Sequence, residues 1–79
     1  MGESRLEGSQ VKYAVVIEKG PHNYGAYVPD LPGCVATAKT SELVQRRIEA
    51  AIVAHVSLLR ERGEPVPAPT TIAIYASVA

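Results

Sequence analysis

Pro29-Asp30-Leu31-Pro32-Gly33-Cys34 (PDLPGC), then Thr40, then the run Ser41 to Arg62 (SELVQRRIEAAIVAHVSLLRER) without a Gly or Pro decide how this chain folds. Two prolines with an aspartate and a glycine inside six positions hold the backbone on one path and remove donors that a helix or central strand needs, so PDLPGC reads as a rigid loop. Thr40 offers its hydroxyl as the N-cap of the Ser41 to Arg62 run. Behind it Val44, Ile48, Ala51, Ile52, His55 and Leu59 recur at steps of three and four, which predicts one amphipathic helix of about six turns. Gly63 suits the left-handed residue that closes a helix, and Pro65, Pro67 and Pro69 forbid its continuation.

Strand patterns flank this unit. Val11 to Glu18 alternates, with Val11, Tyr13, Val15 and Ile17 on one side and Lys12, Ala14, Val16 and Glu18 on the other. Lys19 to Tyr24 (KGPHNY) collects turn formers, and Gly25 to Val28 resumes a β-rich run, so the two form a hairpin. Val35 to Ala38 makes a third strand. Thr70 to Val78 alternates through Ile72 and Ile74 and predicts a last one. The expected fold is α+β in the order β-β-β-α-β, a small antiparallel-type sheet with one long helix packed on one face. Residues 1–10 hold one apolar residue after Met1 and are expected as a disordered tail before a domain at 11–79.

Composition narrows the function classes. The chain has 79 residues, 8 Lys+Arg against 8 Asp+Glu, and one Cys. A domain this small buries only about 60% of the surface that its unfolded chain exposes, so association with a second copy or a partner would help it. Zero net charge does not suit binding by broad phosphate neutralisation. A lone Cys makes no internal disulfide, which fits a reducing compartment, and a cytoplasmic location is expected. No stretch approaches the roughly 20 apolar residues of a membrane span, so no membrane association is expected.

The motifs together resemble a known family. Tyr13 to Ile17, Gly25-Ala26-Tyr27-Val28-Pro29-Asp30-Leu31-Pro32-Gly33-Cys34, Thr40, Glu49-Ala50-Ala51-Ile52 with His55, and Gly63-Glu64-Pro65-Val66-Pro67 look like the HicB-type antitoxin domain, across about residues 12 to 76. The resemblance implies a partial RNase H-like fold. It also implies a protein that binds and blocks a small HicA-type mRNA-cleaving ribonuclease toxin. Many members carry a C-terminal DNA-binding module; this sequence shows none, so direct DNA binding is not expected. The chain departs from the family at Ala38 and Lys39 before the cap, at Leu43 and Val44 in the first helical turn, where a reciprocal capping box is missing, and at Arg46 and Arg47.

Each chemically capable residue has a plainer reading. Asp30 is the single aspartate, and two-metal phosphoryl chemistry needs several convergent carboxylates, for which only Glu18, Glu42 and Glu49 stand as company. Bonding to N–H groups of its own loop is the better expectation for it. Cys34 has no base at a thiol-enzyme spacing and reads as a small buried hydrophobe. His55 reads as a core or boundary histidine, since no second ligand stands at a metal-binding step from it. His22, Asn23 and Tyr24 form a hairpin tip that is more often solvated than functional. Arg46, Arg47, Arg60 and Arg62 read first as a solvated helix face.

No catalytic residue, metal site or cofactor is therefore expected. The structural signature is Pro29, Asp30, Leu31, Pro32, Gly33 and Cys34, with Thr40 as the N-cap. Uncovered β-surface at Val16, Val28 or the Ile72/Ile74 set needs a neighbour. The expected interface is Ile72, Ile74 and Tyr75 with Arg46 and Arg47. The expected partners are a HicA-type toxin and further copies of the chain, as a dimer or tetramer. Two alternatives stand beside the antitoxin reading: a homo-oligomer with no toxin partner, and a metal-dependent nuclease.

Overall fold

The computed structural model describes residues 11–79, so the expected tail at 1–10 lies outside the described residues. Strands β1 (Val16–Lys19), β2 (Tyr24–Tyr27) and β3 (Val35–Ala38) form an antiparallel sheet in that order, and helix α1 (Ser41–Glu61) comes after them. The fold is α+β, as the patterns indicate. β1 and β2 pair as Val16 with Tyr27 and Ile17 with Ala26; β2 and β3 pair as Ala26 with Ala36 and Tyr27 with Val35.

PDLPGC folds as two back-to-back turns. Leu31 donates its N–H to the Val28 carbonyl at 3.0 Å, and Cys34 donates to the Leu31 carbonyl at 3.0 Å. A proline occupies the second position of each turn, where its fixed φ is already correct, and Gly33 takes φ 86°, the left-handed value that the second turn requires. Leu31 is the corner common to both turns. Its side chain is fully buried, at 0% exposure, with Val44 and Ile48 of the helix.

The core is Ala26, Val28, Leu31, Cys34, Ala38, Val44 and Ile48, with Tyr13, Val15, Tyr24, Ala36, Leu43, Ala51, Ile52 and Val56 packed against it. Every position of the predicted helical stripe is buried or half-buried, His55 included. Thr40, with φ −129° and ψ 159°, accepts the Leu43 N–H on its hydroxyl at 3.1 Å. Thr40→Ala is expected to lower stability by about 1 kcal/mol, read as a shift in the urea midpoint. At the other end Gly63, φ 69°, donates to Arg60, and Glu64 donates to Leu59, the paired bonds of a glycine-closed helix.

Two expectations need correction. The first strand starts at Val16 rather than Val11; Tyr13 and Val15 reach the core without joining the ladder. The last strand, Thr70 to Val78, does not form: residues 64–79 are neither helix nor strand, and Ile72 and Ile74 are 84% and 80% exposed. Alternation sets which way side chains point, but a strand also needs a neighbouring edge. Among the described residues the alternating segment is paired with none.

Candidate interaction surface

Three features meet around β3. The first is the side of the sheet turned away from the helix. Ala26, Ala36 and Ala38 face α1, so the alternate residues face outward, and register lines up Val16, Tyr27 and Val35 in one row across all three strands. Val16 is half-buried, whereas Tyr27 and Val35 stand 43% and 64% exposed. Of the β-surface expected to need cover, Val28 has it within the core and Val16 is half-buried, while Ile72 and Ile74 stand exposed.

The second is the free edge of β3. Val28 donates to the Cys34 carbonyl at 3.2 Å, and antiparallel alternation then makes Ala36 and Ala38 the residues bonded to β2. Val35 and Thr37 consequently turn their N–H and C=O groups outward. The Thr37 carbonyl is met by the Arg47 guanidinium at 2.8 Å, so Arg47 is engaged with the sheet while Arg46 stays exposed on the helix. Beside this edge lies a shallow hollow lined by Gly33, Cys34, Val35, Ala51, Ala54, His55 and Leu58. Burial raises the Cys34 thiol pKa, the opposite of what activates a nucleophile, although His55 lines the same hollow.

The third is the C-terminal arm. Asp30 does not brace its own loop as expected, because the two turns close through main-chain bonds alone. Its carboxylate instead binds residues forty positions away. Oδ2 accepts the Thr70 and Thr71 N–H groups, each at 2.9 Å, and Oδ1 accepts the two hydroxyls at 3.0 and 2.9 Å. The Thr71 amide foremost, then the Thr70 amide and both hydroxyls, hold the Asp30 carboxyl below its ordinary range against a partial desolvation. Closer to the helix, Tyr13 donates its hydroxyl to the Pro67 carbonyl. Past Thr71 the arm is exposed, with Tyr75 at 101% and Val78 at 93%.

Among the described residues no group of three or more His, Cys, Asp or Glu is placed to hold a metal ion. No helix among them is long and apolar enough to cross a membrane. Reasoning from sequence found the arm's apolar residues and the signature loop. It missed the Asp30 clamp, whose one signal was an aspartate in a loop already closed by prolines and a glycine. It also missed the Arg47 bond to Thr37.

The family described as HicB_like antitoxin of bacterial toxin-antitoxin system matches residues 13–78. The chain is similar to the UPF0150 protein Ta0767 of Thermoplasma acidophilum, at 36% identity over 58 residues, which cover 72% of this chain and 84% of that protein. The match takes in β1 to β3, the PDLPGC turns, α1 and nearly all of the arm, and the chain belongs to the HicB-like antitoxin family.

Proposed function

We propose that this protein neutralises a small HicA-type mRNA-cleaving ribonuclease in the cytoplasm by covering its active surface, and that it does so without chemistry of its own and as a homo-oligomer. The observation that carries the reading is uncovered apolar surface on a small domain: Tyr27 and Val35 on the outer side of the sheet, and an arm whose Ile72, Ile74 and Tyr75 contact nothing in the core of the described residues. Soluble monomers seldom leave such surface bare unless something binds it. Family membership supports a toxin as one of the occupants. In this reading the contact regions are the arm, through Ile72, Ile74 and Tyr75, and the exposed side of α1 at Arg46, with Arg47 contributing from the β3 edge that it binds.

A non-enzymatic role agrees with the side chains. The oxygens of Asp30 are taken up by Thr70 and Thr71, and burial raises the Cys34 thiol pKa, away from the thiolate that a nucleophile needs. Titrating the chain into a HicA-type ribonuclease acting on a labelled mRNA should abolish cleavage near molar equivalence. Cleavage that continues unchanged at tenfold excess, about the span that any useful affinity covers at micromolar concentrations, would sink the proposal.

A further inference from the structure

We propose that residues 72–78 are an exchanged strand: in a dimer each copy lays its arm along the β3 edge of the other. This rests on the self-association proposed under the antitoxin reading and names its geometry. Donor and acceptor are both present in the one chain, so two copies can exchange arms reciprocally about a two-fold axis, and it is the reciprocity that closes the assembly as a dimer.

The choice of edge comes from charge and hydrogen bonding. A strand edge that must stay single is normally guarded by charged residues or proline. The β1 edge has that guard in Glu18 and Lys19. β3 reads Val-Ala-Thr-Ala and has no charge, and the arm from Thr70 to Ala79 has none either. At β3 the Val35 N–H and C=O and the Thr37 N–H point outward unclaimed by β2, while Arg47 holds the Thr37 carbonyl. The incoming strand therefore centres on Val35.

Side-chain alternation fits both faces of that position. Ile72 and Ile74 lie on one face of the arm, and Thr71, Ala73 and Tyr75 on the other. With the isoleucines toward the helix side, they fill the hollow beside Ala51, Ala54 and Leu58. Tyr75 then lies on the outer face and continues the row of Val35 and Tyr27. The clamp at Asp30 fixes where the arm leaves its own body.

The test uses the whole chain and two variants. Light scattering after gel filtration should give a dimer for the natural sequence. Ile72→Asp with Ile74→Asp spoils the arm, and Val35→Pro removes the outward donor at the edge. Neither touches the core, and an unchanged helical circular dichroism signal checks this. Each variant alone should be a monomer, with dissociation raised by about a hundredfold or more. Mixed together, the one with an intact edge should accept the intact arm of the other, and association should return through a single exchange. A dimer indifferent to both variants, or a mixture that stays monomeric, overturns the exchange and leaves self-association standing. A natural chain that is monomeric at high concentration overturns both, and assigns arm and edge to another protein.

Discussion

Leu31→Ala is expected to unfold most of the molecules at room temperature. Leu31 is fully buried at the corner of two turns, and α1 closes over it through Val44 and Ile48. Truncating such a leucine costs about 2–5 kcal/mol, since the transfer energy is lost and a void remains. A core in a domain of this size supplies no more than about 3–5 kcal/mol. The two figures are of the same size, so little net stability survives. Urea unfolding followed by circular dichroism should show the folded baseline shortened or gone. Leu58→Ala, at a 44% exposed helix position, is the control and should move the midpoint only slightly. Equal midpoints for the two variants would contradict the assignment of Leu31 to the core.

Asp30→Ala should leave that core intact and detach the arm. The substitution removes both acceptor oxygens and leaves the Thr70 and Thr71 amides and hydroxyls with no carboxylate to donate to. Hydrogen exchange at the Thr70 and Thr71 amides should rise to the rate of an unstructured chain, with helix amides unaffected. Acid should reproduce the effect. The folded carboxyl titrates below its ordinary value, so the clamp's contribution is fully present above the ordinary carboxylate pKa and is lost as pH falls through the lowered one. Neutral and mildly acidic solutions should therefore give the same arm protection, and only strong acid should remove it. Protection that decays through pH 6 would show that some other group holds the arm.

What could be read from the sequence was what depends on near neighbours along the chain. Thr40 caps because its hydroxyl lies three residues from the Leu43 amide, and Gly63 closes the helix because it tolerates positive φ. The stripe from Val44 to Leu59 needs only the helical repeat, and Cys34 is buried as its place beside an apolar strand indicates. The role of Asp30 was hidden because its partners are forty residues distant and nothing local marks them. Arg47 looked like part of a solvated face, since the carbonyl that it meets belongs to a strand edge whose direction depends on register. The segment from Thr70 to Val78 was misassigned for a related reason. Its pattern states how its side chains alternate, whereas pairing is a property of two strands.

The run from Pro65 to Pro69 bears on how a partner would be met. Three prolines in five residues leave few conformations open, and such stretches favour a stiff, stretched form of about 3.1 Å per residue. Tyr13 holds this strut at Pro67, and Asp30 holds its far end at Thr70 and Thr71. The freedom that a wholly untethered tail would surrender on docking is thus already given up as far as Thr71, and only the exposed residues beyond it have still to be ordered. The strut aims the arm as a bowsprit aims a sail, so a partner meets a short free segment launched from a fixed point and direction.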